Sequence, residues 1–138
     1  MKYDSKDSLI RSFIERVWNQ ASEAALCELT TPDYLYTFGA HPPRDRPAML
    51  ALLRDLHIAF PDWNDEIRDL IVQGERGAAR WEASATHLGP FRGVAPTGKA
   101  ARAFGINVYH FRGDLTSAEF ETMDTIGLLV QLGAISSQ

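Results

Sequence analysis

The stretch that decides the fold is AFGINVYHFRGDLTSAEFETMD, residues 103–124. Its alternation of residue types predicts two β-strands folded back at the turn Arg112-Gly113-Asp114-Leu115. Side chains alternate between the two faces of a strand, so one face of this hairpin is polar and the other apolar. The polar face carries Asn107, Tyr109, Glu119 and Glu121. The apolar face carries Phe104, Ile106, Val108 and Phe120.

The polar face of the hairpin is the candidate site. A turn centred on Gly113 and Asp114 pairs residues whose numbers sum to about 227 or 228, so Glu121 is expected beside Asn107. A carboxyl group on the wall of an apolar cavity has a raised pKa, which suits a general acid or base. Asn107 or Tyr109 can then donate a hydrogen bond to a developing oxyanion. The alternative is an edge strand on which Glu119 and Glu121 face solvent or pair with arginines.

Length and composition predict one domain over residues 1–138, with an ordinary hydrophobic core. The net charge of −4 comes from interspersed charges without a basic run, which argues against nucleic acid. A single cysteine, Cys27, excludes an intramolecular disulfide. No apolar run approaches the roughly 18 residues of a membrane helix, and polar residues follow Met1 where a signal peptide would be apolar. A cytoplasmic protein is expected.

Four helices are predicted from apolar periodicity and capping signals. The first covers residues 5–19 and can be capped by Asp4 or Ser5, and the second covers 22–29. The third follows the cap Asp45 and ends at Pro61. The last covers 125–132, and Asp124 is interpreted as its N-cap rather than as a catalytic residue.

Two further strands, residues 64–73 and 78–87, form a hairpin around Gly74-Glu75-Arg76-Gly77. Helices precede strands with hairpin-length connections, which predicts an α+β domain with an antiparallel sheet and helices on one face. Alanines around Trp81 in the second strand suggest a hollow above that sheet. The aromatics predicted to line a ligand cavity are Trp18, Tyr36, Trp63 and Trp81.

The four histidines suggest no catalytic or metal centre. They lack a paired helical spacing or a nearby cysteine set, and no Gly-x-Ser-x-Gly is present. We therefore expect no metal and no cofactor. His87 opens a Gly/Pro-rich loop, residues 88–100, and either reaches the cavity rim as a ligand contact or anchors the loop. His110 lies on the apolar face and is interpreted as a core or interface residue.

Several segments in order resemble the SnoaL-like polyketide cyclases of the nuclear transport factor 2-like superfamily. They are Trp18-Asn19-Gln20-Ala21, Pro32-Asp33-Tyr34, Phe60-Pro61-Asp62, residues 87–93, Pro96-Thr97-Gly98 and residues 124–133. The resemblance implies a cone-shaped curved sheet with helices on its concave face around a deep apolar cavity. It also implies a homodimer, and, in some members, aldol ring closure without a cofactor.

In those cyclases an aspartate of the final strand is the acid/base, and its position is occupied here by Glu121. Their glutamine and histidine partners correspond to Asn107 and Tyr109. The expected function is therefore cofactor-free cyclisation or isomerisation of a hydrophobic carbonyl compound. The alternatives are a small-molecule binding protein without chemistry and a hydrolase or dehydratase on the same scaffold. A homodimer is expected through the apolar outer face of the sheet.

Overall fold

The computed structural model describes residues 5–136 and has the predicted α+β architecture, with four helices and a curved, unclosed five-stranded sheet. The helices are α1 Lys6–Phe13, α2 Glu23–Leu29, α3 Arg46–Ala59 and α4 Thr125–Gln131. The strands are β1 Thr30–Phe38, β2 Asn64–Gln73, β3 Arg76–Thr86, β4 Ala100–Arg112 and β5 Leu115–Met123. Each predicted helix and both predicted hairpins are confirmed.

The sheet is mixed, with the strand order β1-β5-β4-β3-β2. The pairs β2–β3, β3–β4 and β4–β5 are antiparallel, whereas β1 pairs parallel with β5. The prediction of a wholly antiparallel sheet is therefore wrong at this edge. Strand β1 joins the sheet through a long connection that contains α3 and three strands, so no hairpin turn fixes its direction.

Two β-bulges set which side chains face the concave side of the sheet. In the β4–β5 ladder, His110 pairs with Ala118 but Phe111 pairs with Thr116, so Ser117 is an extra residue. In the β2–β3 ladder, Ile67 pairs with Trp81 and Asp69 with Arg80, so Arg68 is extra. A shift of one residue reverses the faces of all side chains beyond it.

The first helix contributes its predicted apolar stripe to the core. Leu9, Ile10 and Phe13 are buried, and Ser5 caps the helix by accepting a hydrogen bond from the Ser8 amide. The alternative cap, Asp4, lies outside the described residues. The chain continues without a break into a π-helical segment, Ile14–Asn19, that buries Trp18. This wider helical turn occurs where the helix reaches the candidate site.

The convex face of the sheet remains largely open. Phe104, Ile106 and Phe120 are 42%, 49% and 42% exposed, respectively. His110 also lies on this face, where it contacts the Phe120 ring and its Nδ1 lies 2.6 Å from Arg76 Nη1. Among the described residues, none of the helices is long and apolar enough to cross a membrane.

Candidate active site

A cavity of about 580 Å³ opens between α3, the β1 edge of the sheet and the loop that follows β3. This volume lies in the usual range for small-molecule sites. Aliphatic and aromatic side chains form most of its wall, and Glu121 is a carboxyl group in that wall. The lining includes Trp18, Tyr36, Phe38, Leu52, Leu56, Ile58, Trp63, Phe91 and Met123.

The two carboxyl oxygens of Glu121 differ, because one accepts hydrogen bonds from the described part of the chain and the other does not. Its Oε1 accepts a hydrogen bond from the Tyr36 hydroxyl at 2.9 Å and a longer one from the Asn107 amide at 3.5 Å. Its Oε2 makes no hydrogen bond to the described part of the chain. Burial raises the pKa of Glu121 to about 8, and the negative charges of Glu119 and Asp65 add to that shift. The group can therefore gain or lose a proton near neutral pH.

Glu119 lies behind Glu121 and outside the wall of the large cavity. It is fully buried, and its carboxylate accepts hydrogen bonds from the Tyr34 hydroxyl at 2.7 Å and the Trp18 indole at 2.8 Å. A third hydrogen bond, at 2.7 Å, comes from the Asn107 amide. Burial raises the pKa of Glu119, and these donors oppose the shift by stabilising the charged form. Glu119 therefore acts as a structural carboxylate that holds the side chains of Tyr34, Trp18 and Asn107 in place.

Asn107 connects the two glutamates to the sheet. Its amide nitrogen faces both carboxylates, while its Oδ1 accepts a hydrogen bond from the Trp81 indole at 2.7 Å. Gly105 allows this arrangement, because a Cβ there would lie 2.3 Å from the Trp81 ring. Neither Asn107 nor Trp81 lines the large cavity. Both are instead part of the wall of a much smaller chamber behind Glu121.

The hollow predicted above the alanines of β3 is filled. Ala83, Ala85 and their neighbours on β4 are buried in a cluster with Phe60, Trp63, Leu128 of α4 and Leu132 at the end of that helix. Small side chains in the sheet thus accommodate large rings from the opposite layer. The cavity lies further along the sheet, towards β1 and β5.

His87 anchors the loop that follows β3. Its Nδ1 accepts a hydrogen bond from the Thr97 amide at 3.2 Å, and its backbone pairs with Gly98 and Lys99. The ring is fully buried against Phe60 and does not line the large cavity. Asp124 caps α4 as predicted, because its Oδ1 accepts a hydrogen bond from the Gly127 amide at 2.8 Å. Neither side chain lines the large cavity.

The cavity-lining residues Phe38, Leu52, Leu56, Phe91 and Met123 were not predicted from the sequence, and neither were two buried polar residues beside the glutamates, Tyr34 and Asp65. Tyr34 donates to Glu119, and the alternating aromatics of residues 33–38 were the available signal. Asp65 is buried on the concave side, and burial raises its pKa to about 7. A straight hairpin from the turn after β2 would have placed Asp65 opposite Ser84 on the convex side. The bulge at Arg68 pairs it with Ala83 instead.

A SnoaL-like polyketide cyclase family model matches residues 8–132, which is nearly the whole chain. The chain belongs to the SnoaL-like polyketide cyclase family. No curated protein sequence matches it. The expected curved sheet and concave-side helices agree with the nuclear transport factor 2-like fold of solved family structures.

Solved structures from Streptomyces are similar over almost their whole length. IdmH from S. antibioticus, described as a candidate polyketide cyclase, is 28% identical with a TM-score of 0.80, over 91% of this chain and 96% of that one. TsrD from S. laurentii is 25% identical with a TM-score of 0.83, over 96% and 99%. AclR from S. galilaeus, described as a candidate hydroxylase, is 24% identical with a TM-score of 0.84, over 95% and 82%, and supports the fold alone.

Proposed function

We propose that this SnoaL-like protein catalyses cofactor-free acid/base chemistry on a hydrophobic carbonyl compound, of the aldol cyclisation or isomerisation type. The observation that carries the proposal is the position of Glu121. It is the buried carboxyl group in the wall of an apolar cavity, with one oxygen held and the other free. Its pKa of about 8 brings proton gain and loss near neutral pH.

In the proposed reaction Glu121 alone removes and returns the proton. The ionised carboxylate takes a proton from a carbon next to a carbonyl group, which leaves a carboxylic acid and an enolate. In a cyclisation, the enolate carbon forms a bond to a second carbonyl carbon of the same molecule, and the resulting alkoxide takes the proton back. In an isomerisation, the proton returns to a different carbon. Glu121 ends in its starting state in both cases.

Tyr36 and Asn107 hold the catalytic carboxyl group. Tyr36 lines the cavity and donates to Oε1, which leaves Oε2 available for the substrate. Asn107 and Tyr109 lie outside the wall of the large cavity. In place of the predicted contact with a substrate oxyanion, we propose that Asn107 supports the carboxylates, because its amide donates to both of them. A well-held base has less motion to lose in the transition state, which favours catalysis.

The wall of the cavity supports an apolar substrate. Trp18, Tyr36, Trp63 and Phe91 offer aromatic surface, and Leu52 and Leu56 of α3 complete the opposite side. Arg44 and Arg92 also line this cavity, together with His41 and Asp55, and bring charged and polar groups to a largely apolar wall. Such a surface favours a flat, largely apolar molecule with carbonyl groups. The description of IdmH as a candidate polyketide cyclase is consistent with this substrate class.

The experiment is α-proton exchange in deuterated buffer, followed by ¹H NMR on a set of apolar β-dicarbonyl and oligoketide compounds. We expect exchange or ring closure with the wild-type protein. In Glu121→Gln the rate should fall by about 100-fold or more, which is the usual contribution of general acid/base catalysis. The matched control is Glu66→Gln, because the Glu66 side chain is 58% exposed and pairs with Arg68. This control should retain the wild-type rate.

Two results would contradict the proposal. Unchanged exchange in Glu121→Gln would show that another group removes the proton. Tight binding of these compounds by the wild-type protein, without exchange or conversion, would instead support the alternative of a non-catalytic binding protein. Isothermal titration of the same compounds distinguishes this case from a failure to bind.

A second copy of the chain is the partner we propose for the convex face of the sheet. Phe104, Ile106 and Phe120 form a half-exposed apolar patch there, and Ile71 on β2 is 68% exposed. The charges on this face are already paired, as in the contacts of Arg80 with Asp69 at 2.6 Å and Arg102 with Glu82 at 2.5 Å. An apolar surface with internally neutralised charge suits a self-complementary contact.

A further inference from the structure

A small chamber lies directly behind Glu121, on the side away from the large cavity. It has a volume of about 10 Å³, which is close to the space that one water molecule needs. The side chains around it come from the first helical segment and from β2, β3, β4 and β5. Its wall consists of Ile14, which is apolar, and of seven residues that carry polar atoms: Trp18, Trp63, Asp65, Trp81, Asn107, Tyr109 and Glu121.

Three polar atoms in this wall are buried without a well-formed hydrogen bond in the described part of the chain, although the Trp63 indole lies near enough to Asp65, and the Tyr109 hydroxyl near enough to Glu119, to favour the charged form of each carboxyl group and oppose the rise of its pKa. The three atoms are Asp65 Oδ1, Trp63 Nε1 and the Tyr109 hydroxyl. The three residues are 8%, 5% and 0% exposed, respectively. A buried polar group without a partner is costly, and proteins generally satisfy such groups with each other or with an internal water. Three of them around one water-sized space define a site with enough donors and acceptors.

We infer that this chamber holds one water molecule that bridges Asp65 and Glu121, and that the two carboxyl groups share a proton through it. When Glu121 is protonated, its O–H donates to the water, the water donates to Asp65 Oδ1, and the Trp63 indole or the Tyr109 hydroxyl donates a second hydrogen bond to the water. When Glu121 gives up its proton, the water receives it and passes one of its own protons to Asp65. The net change is one proton moved between two carboxyl groups, with no bond to carbon altered.

Asp65 is thereby a positioning residue that controls when Glu121 is ionised. The titratable groups that face the pair are Glu119 from β5, Tyr109 from β4 and Tyr36 from β1. Burial raises the pKa of Asp65 to about 7 and that of Glu121 to about 8, so the two sites hold a proton with similar strength. A partner of similar proton affinity can share the proton rather than trap it.

The catalytic meaning of this bridge rests on the function proposed for Glu121, but the bridge itself does not. A high-resolution crystal structure of the wild-type protein tests the water directly. We expect one ordered water within hydrogen-bond distance of both Asp65 and Glu121. A dry chamber, or a water that contacts only one of the two carboxyl groups, would overturn the inference.

Proton sharing is tested by ¹³C NMR titration of the side-chain carboxyl groups. In the wild-type protein, the Asp65 and Glu121 resonances should each report the same two titration steps. In Asp65→Asn, Glu121 should titrate in one step, lowered by about half a pH unit or more, because a nearby negative charge is lost. An unchanged Glu121 titration in a folded Asp65→Asn protein would overturn the inference.

The matched control is Asp69→Asn on the same strand, where the exposed Asp69 pairs with Arg80 on the convex face. Its Glu121 titration should match the wild type. If Asp65→Asn fails to fold, the wild-type crystal structure and the two-step titration still decide the question. If the bridge is found but no carbonyl compound exchanges a proton, the proposed function fails while this inference stands.

Discussion

Glu119 and Glu121 lie two residues apart on β5, and both carboxyl groups are buried on the concave side of the sheet. One amide, that of Asn107, donates to both of them. Two negative charges this close in an apolar site repel each other, so ionisation of one opposes ionisation of the other. Glu119 receives two further hydrogen bonds, from Tyr34 and Trp18, and it is the better stabilised anion. Glu121, which faces the cavity, is left as the group that exchanges protons.

The supporting role of Glu119 predicts a loss of stability in Glu119→Gln. The new amide replaces one acceptor oxygen by a donor, so at least one of the donors from Tyr34, Trp18 and Asn107 loses its partner. Leaving a buried donor unsatisfied costs about 1–3 kcal/mol in the free energy of unfolding. Urea unfolding measures this change, and the exposed control Glu66→Gln should stay within about 0.5 kcal/mol of wild type. Equal stability of the two variants would contradict the role.

The raised pKa of Glu121 also predicts how the free energy of unfolding depends on pH. Its pKa is about 8 in the folded protein, against an ordinary value of 4.5, so the native state keeps a proton that the unfolded chain releases. Its contribution is therefore fully present below pH 4.5 and is lost as the pH rises through about 8. The free energy of unfolding should fall across this window, by at most about 1.4 kcal/mol per pH unit for one group.

Urea unfolding of the wild type and of Glu121→Gln between pH 5 and pH 8 checks that dependence. The variant lacks the titrating group, so its stability should fall less steeply with pH. Asp65 contributes in the same direction, because its pKa is also raised, and some slope should remain. Parallel curves for the two proteins would contradict the pKa assigned to Glu121.

Because Asp124 caps α4, its replacement should lower the free energy of unfolding without changing the rate of α-proton exchange. Its carboxylate accepts the Gly127 amide at the start of α4, and Leu128 in the same helix is buried. Asp124→Ala should lower the free energy of unfolding by about 1 kcal/mol, whereas Asp124→Asn retains a capping side chain and should cost less. Both variants should keep the wild-type exchange rate at saturating substrate. A loss of activity in Asp124→Asn would assign this residue to the catalytic site.

The convex apolar patch predicts dimerisation. Light scattering at micromolar concentration should give the mass of two chains for the wild type. Phe120→Glu places a charge at the centre of the patch and should yield monomers, because burying an unpaired charge is costly. Leu88→Glu is a control with the same change of charge, since Leu88 is 57% exposed in the loop that follows β3, where its backbone amide donates to Ala59 of α3. A monomeric wild type would refute the proposed contact.

Much of the fold follows from local sequence patterns. The stripe of α1, the cap at Asp45 and the alternation of β3 are short-range features, and the structure confirms each of them. The parallel pairing of β1 with β5 is not a short-range feature. It joins Tyr36 to Glu119 across more than eighty residues, and no turn between the two strands signals its direction.

Which side chains meet in the site depends on the register of the paired strands, so the site was predictable only where that register was. A tight turn at Gly113 and Asp114 without a bulge would place Asn107 opposite Phe120, and the extra residue Ser117 shifts its partner to Glu121. On β5, the polar residues Glu119 and Glu121 alternate with apolar Phe120, and this pattern was enough to favour the register that places both glutamates on the side of Asn107. On β2, Asp65 is flanked by polar residues, so no such pattern revealed the bulge at Arg68.

We propose that Glu121 removes and returns the proton, and the pH dependence of α-proton exchange is the decisive measurement of this role. With an apolar β-dicarbonyl compound in deuterated buffer, the wild-type rate should rise with pH, reach half its maximum near pH 8 as Glu121 ionises, and level off above about pH 9. Glu121→Gln should show no such rise and a rate lower by about 100-fold or more. A variant that keeps the wild-type rate and pH profile would contradict the account.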